Sequence, residues 1–182
     1  MQTLTDAQRE LWNSDGYLHL EGALSPEQVR FFSDEMDRIR GIPGYEPDPN
    51  PELPMGHYSW QDHAPDPTVG GFMDRRELLT YGQEFIDLVD ASPIFDLIVD
   101  IMGTNIMLSM TQAIERPPSE KFPGYTHTDG GESLRMIRPV PNSPPIALKA
   151  MYLLTDVTEE DTGNLTVFPG SHTRQIPFGG ER

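Results

Sequence analysis

The chain predicts an α+β fold. Two observations carry this reading. Apolar residues recur at helical spacing, between recognisable start and stop signals, as far as Gly103, and the pattern beyond Gly103 is extended. No internal repeat or low-complexity tract interrupts that order. With 182 residues, one domain is expected, with a mainly helical part over 1–103 and a β part over 104–182.

The elements follow in order. Thr5-Asp6-Ala7-Gln8 reads as a capping box, and the helix it opens stops at Asp15-Gly16. Tyr17-Leu18-His19-Leu20 is a short strand candidate. Ser25-Pro26-Glu27-Gln28 is a second capping box, with Pro26 at the first helical position, where its missing N–H costs nothing. Val29, Phe32, Met36 and Ile39 then recur at helical spacing until Gly41. From Ile42 to Thr68 prolines cluster at 43, 48, 51, 54, 65 and 67, so this stretch reads as irregular. It carries His57, Trp60 and His63, and is either an ordered surface crossing or a substrate-facing lid. Two helices follow, one over Glu77 to Asp90 and one from N-cap Ser92 and Pro93 to Gly103. Asn105 to Glu115 reads as a strand with Gln112 near its middle, ended by Pro117 and Pro118. Tyr125 to Asp129 is a short strand edge, and Ile146 to Leu154 and Leu165 to Phe168 are further strands.

Composition removes several function classes. The chain has 13 basic and 29 acidic residues, a formal net charge of -16. Such a surface repels phosphate backbones and anionic lipid, so neither nucleic acid nor a membrane is an expected partner. With no cysteine there are no disulfides, zinc thiolates or Fe–S clusters, and a metal here must use His, Asp or Glu. Met1 to Glu10 is polar, and no stretch reaches membrane-spanning length, so a soluble, cytoplasmic protein is expected.

The chemistry centres on His127-Thr128-Asp129. On a strand, residues i and i+2 share a face, so an imidazole and a carboxylate converge on one point. That is two-thirds of the 2-His-1-carboxylate triad of non-haem Fe(II) oxygenases, which leaves positions open for a bidentate cosubstrate and O2. On the tripeptide alone, a surface histidine with an acidic neighbour is the simpler reading.

Other motifs change the balance. Asp15-Gly16-Tyr17, the Ser-Pro-Glu helix start, Asn105-Ile106-Met107, Thr155-Asp156-Val157-Thr158-Glu159-Glu160, Gly163-x-Leu165 and Pro169-Gly170-Ser171-His172 occur in one order along the chain. In these the sequence resembles the phytanoyl-CoA dioxygenase family of Fe(II)/2-oxoglutarate oxygenases. The resemblance implies N-terminal helices packed on a double-stranded β-helix, a cupin-like jelly roll. It implies Fe(II), 2-oxoglutarate and O2 as cofactors, with ascorbate in support. The implied reaction is hydroxylation of a small molecule, coupled to decarboxylation of 2-oxoglutarate to succinate.

Carried over residue by residue, His127 and Asp129 match the first two iron ligands. A carboxylate at 129 favours hydroxylation over the halogenation of relatives that have a small residue there. Gln112 falls where family members set a side chain against 2-oxoglutarate, and its amide can bond the cosubstrate; it is otherwise an ordinary strand polar residue. Lys149 and Met151 fall on a strand that lines the family's pocket. Arg135 and Arg138, in the loop 130–145, are candidates for an acidic group of the substrate, or for pairing with neighbouring carboxylates. His172 belongs to a motif that is a turn in the family, so its expected role is structural, with a hydrogen bond pinning the turn, and Arg182 is then not the cosubstrate arginine.

The family's distal histidine and that arginine have no counterpart here. A jelly roll needs eight strands, and about four or five candidates follow Gly103. The expectation is therefore a C-terminally incomplete fold, with the first half of the jelly roll over 104–182. The remaining half would come from the same protein or a separate chain. Two readings compete with the hydroxylase: a cupin-type metal enzyme that does not use 2-oxoglutarate, and a non-catalytic jelly-roll relative.

Overall fold

The structure, a computed structural model, describes residues 3–42, 73–115, 137, 145–160 and 162–173. These form an α+β arrangement of four α-helices and one two-stranded sheet. Helix α1 spans Asp6–Asp15 and α2 spans Pro26–Arg40. Both start where the capping boxes place them. Gln8 N–H donates to Thr5 Oγ1 at 3.2 Å and Thr5 N–H to Gln8 Oε1 at 3.0 Å. Gln28 N–H donates to Ser25 Oγ at 3.2 Å and Ser25 N–H to Gln28 Oε1 at 2.9 Å. Each reciprocal pair satisfies donors that a helix start leaves without an intrahelical acceptor.

Helix α2 supplies the centre of the core. Phe32 and Ile39 are buried on one face of it, together with Phe85 of α3 (Gln83–Asp87). The Phe32 and Phe85 rings lie 5.3 Å apart at 57°. Leu24, Met36, Leu78, Leu79, Leu88 and Leu154 pack around them. Each buried side chain of this size contributes about 1.5–3 kcal/mol. Helix α4, Ile94–Met102, is tied to the N-terminal segment by Asp100. Its Oδ2 accepts from Thr3 N–H at 2.9 Å, Leu4 N–H at 2.8 Å and Arg9 Nη2 at 2.8 Å.

The structure corrects several boundaries. The helix expected over 77–90 is a 3-10 turn at Leu78–Thr80 followed by the short α3, because Gly82 is fully extended between them. The last helix is capped one residue later than expected, at Pro93, and the Ser92 hydroxyl donates to the Asp96 carboxylate instead of accepting from the backbone. Strand β1, Met73–Arg76, has no signal in the sequence: Met-Asp-Arg-Arg has little β-propensity. It pairs antiparallel with β2, Gln112–Glu115, in the register Met73↔Glu115, Asp74↔Ile114, Arg75↔Ala113 and Arg76↔Gln112.

The strand expected over 105–115 is thus a ladder over its last four residues. Residues 17–20, 146–154 and 165–168 join no ladder among the described residues. Alternation makes a backbone extended, but a strand also needs a partner edge, and β1 offers one only four residues long. The described residues accordingly display a two-stranded sheet against helices and not the expected jelly roll. The proline-rich stretch beyond Ile42 and the strand edge at 125–129 lie outside them. Among the described residues no helix is long and apolar enough to cross a membrane.

Candidate functional site

Gln112 is the best-placed of the expected site residues. It opens β2, half-buried, directly opposite Arg76. Directly opposed residues of an antiparallel pair share a face, so the amide and this guanidinium stand side by side. Arg75 opposes Ala113 on the other face and is 3% exposed. The ribbon therefore presents one guanidinium on each face beside the predicted cosubstrate residue. Sequence reading passed over both arginines. Their signal was two adjacent cations in a chain with 13 basic against 29 acidic residues.

Two contacts fix the ribbon to the helices. Leu78 N–H donates to the Thr111 hydroxyl at 2.8 Å, next to Gln112, and Leu78 packs on the Phe32–Ile39–Phe85 cluster. At the far end, Arg40 Nε donates to Glu115 Oε2 at 2.9 Å. Arg40 Nη2 lies 2.8 Å from the same oxygen without hydrogen-bond geometry, so Nε carries the directional bond of this pair. The C-terminal end of α2 is also where a cation is favoured.

Lys149 and Met151 lie on the exposed face of an extended segment. Leu148, Tyr152 and Leu154 are half-buried, whereas Lys149, Met151 and Leu153 are exposed. Over 151–154 this alternation is the period of a strand even without a ladder, whereas Lys149 and Ala150 are both exposed. Leu154 seats the segment on the same core cluster that holds Leu78. Burial raises the Tyr152 phenol above its ordinary value. Lys149 and Met151 therefore face away from the core that holds Leu154.

The hydrogen bond expected of the His172 side chain is not made through Nδ1 among the described residues. The 3-10 turn Ser171–Thr173 docks on the C-terminal end of α1. The hydrogen bond that pins it comes from the backbone, Gly170 N–H to Asp15 C=O at 2.9 Å. The imidazole packs 6.3 Å from the Trp12 ring, and its Nδ1 is buried with no hydrogen-bond partner among the described residues.

His127, Asp129, Arg135, Arg138 and Arg182 lie outside the described residues. Among the described residues no cluster of three His, Cys, Asp or Glu side chains could hold a metal. Two open clefts lie elsewhere, one of about 460 Å³ between α1 and α4 and one of about 300 Å³ between α2 and α3, and neither is lined by an expected site residue.

The family model Phytanoyl-CoA dioxygenase (PhyH) matches residues 12–179. The chain belongs to that family, and at the level of the family its kind is a dioxygenase. Comparison with curated proteins and with solved structures returns no match.

Proposed function

We propose that the chain is an Fe(II)- and 2-oxoglutarate-dependent dioxygenase that hydroxylates a small molecule bearing an acidic group. The observation that carries this reading is the family match over 12–179, which encloses His127-Thr128-Asp129. His127 and Asp129 are the two iron ligands of this reading, and an imidazole with a carboxylate is a donor set that Fe(II) accepts. The third ligand and the cosubstrate arginine belong to a second half of the fold, from the same protein or a separate chain. Exposed apolar side chains along 105–111, 146–154 and 165–168 support that assignment, since such faces ordinarily lie against further structure.

The described residues fit a dicarboxylate cosubstrate by their chemistry. Gln112 offers an amide and Arg76, on the same face of the ribbon, a guanidinium, whereas Arg75 is buried on the opposite face. A planar fork of donors suits a carboxylate. Lys149 adds a further cation, and Met151 an apolar wall on the same face. Arg135 and Arg138 hold the acidic group of the substrate. When bound, Fe(II) and 2-oxoglutarate supply the oxidation: O2 is divided between the substrate hydroxyl and succinate, with release of CO2. The chain's own residues bind, orient and exclude water.

Anaerobic titration with Fe(II) and 2-oxoglutarate tests this, read by the weak visible charge-transfer band of the chelate. A band that disappears in His127→Ala supports the reading. Absence of a band, with no succinate formed under O2 when the second half of the fold is supplied, sinks it.

A further inference from the structure

The end of the ribbon nearest Gln112 is held by one residue. Thr111 accepts twice from the chain that follows Arg76: its C=O from Glu77 N–H at 3.1 Å, and its hydroxyl oxygen from Leu78 N–H at 2.8 Å. Leu78 opens the 3-10 turn Leu78–Thr80, and the N-cap residue Glu77 makes no side-chain bond to that turn. The Thr111 hydroxyl thus does from the facing strand what a capping side chain does within its own turn.

Glu77 shows what the two bonds hold. Its backbone is left-handed, at φ 57° and ψ 45°, and among the described residues no other non-glycine residue has positive φ. That conformation is strained for a residue with a Cβ. It turns the chain out of β1 directly after Arg76 and presents two successive N–H groups to Thr111. Strain of this kind persists where the surroundings over-determine it, and it gathers at functional sites.

The clamp is contiguous with the pair it borders. Glu77 follows Arg76, Thr111 precedes Gln112, and Arg76 and Gln112 stand opposite one another. Register puts the two side chains on one face, and the clamp keeps this last pair of a four-residue ladder from fraying. On the reading that the ribbon seats the cosubstrate, we propose that Thr111 is a positioning residue. By fixing Glu77 and Leu78 it sets the Arg76 guanidinium beside the Gln112 amide as a paired seat for a carboxylate of 2-oxoglutarate. The far end of the same ribbon is anchored separately, by Arg40 on Glu115.

Anaerobic titration of 2-oxoglutarate with Fe(II), with the second half of the fold supplied, tests this in wild type, Thr111→Val, Thr111→Ser and Glu115→Gln. Thr111→Val keeps the side-chain shape and removes the acceptor, so Kd should rise about fivefold or more. Thr111→Ser keeps the hydroxyl and should restore Kd to within about twofold of wild type. Glu115→Gln releases the far anchor and should leave Kd unchanged. Wild-type affinity in Thr111→Val would overturn the proposal. So would equal weakening in Glu115→Gln or no recovery in Thr111→Ser, because the ribbon would then merely have loosened. Hydrogen exchange of the wild type needs no substitution. A seat ordered by the clamp must order the clamp in return, so bound 2-oxoglutarate should slow the Glu77 and Leu78 amides. Unchanged exchange there with the cosubstrate bound would overturn the proposal even where Thr111→Val fails to fold. Failure of the underlying reading looks different: wild type itself would show no charge-transfer band and no slowing, which overturns the seat and its positioning together.

Discussion

Arg75 and Arg76 are neighbours in sequence with opposite environments. The pleat sends Arg76 to the face of Gln112 and Arg75 to the face of Ala113, where it is buried. Both make contacts within the fold. If the ribbon holds the cosubstrate carboxylate, Arg76→Met should raise KM for 2-oxoglutarate by about tenfold or more, the scale of one charge-assisted bond. Arg75→Met should chiefly lower Tm. The reverse pattern in steady-state kinetics and melting would move the cosubstrate to the other face. Asp129→Ala should cut hydroxylation more than about a hundredfold, since even partners of metal ligands cost 10–100-fold when removed. Succinate release coupled to product, in a variant with wild-type circular dichroism, is the check, and activity within a few-fold of wild type would remove Asp129 from the ligand set.

Asp100 gives a prediction of another kind. The N–H groups of Leu4 and Thr3, then Arg9, hold its carboxyl below the usual carboxylate range. A group whose folded pKa is depressed contributes stability above its unfolded value, about 4, and loses it as pH falls through the folded value. Asp100→Asn should therefore lower Tm at pH 7. The gap to wild type should close progressively below pH 4. A gap that stays constant from pH 7 to pH 3 would show that the carboxylate charge is not what secures residues 3–9 to α4.

Among the elements, the two capping boxes were legible, whereas the Ser92 cap and the continuous helix over 77–90, also local readings, were not. Capping boxes act over three residues, so the starts of α1 and α2 read directly from Thr5–Gln8 and Ser25–Gln28. Ser25→Ala should cost about 1 kcal/mol, read from chemical denaturation with an unchanged m-value. Phe85→Ala, at the contact of α3 with α2, should cost about 3–5 kcal/mol. What depends on a distant partner was not legible. Strand β1 exists because β2 pairs with it across 35 and more residues, and Met-Asp-Arg-Arg announces nothing of the kind. For the proposed site, His127-x-Asp129 is a local pattern visible in the sequence that lies outside the described residues, whereas the arginine opposite Gln112 follows from register. The turn at His172 lies between these cases. Its motif was visible in the sequence, but Gly16, the bare glycine it sits on, caps a helix some 150 residues earlier.

At the scale of the whole molecule, charge and exposed apolar surface oppose one another. Met107 is 87% exposed and Leu165 66%, and Ile146, Met151, Leu153 and Phe168 are exposed as well. Apolar surface of this kind drives association. A net charge of -16 at pH 7 works against it by mutual repulsion between copies. The balance should therefore shift with pH. As carboxylates take up protons toward the sequence pI of about 4.5, repulsion disappears while the apolar faces remain. Light scattering of the isolated chain should show a single small species at pH 7 and steep growth in size between pH 5.5 and about 4.5. Salt should enhance association at pH 7, because screening shortens the repulsion to about 8 Å at physiological ionic strength. If, as proposed, a second half of the fold covers the faces along 105–111, 146–154 and 165–168, supplying it should suppress the acid-induced growth. Growth unaffected by that half, under conditions where the two bind, would mean that the association surface lies elsewhere, and the rim around exposed Phe31 and half-buried Leu88 would be the next face to substitute.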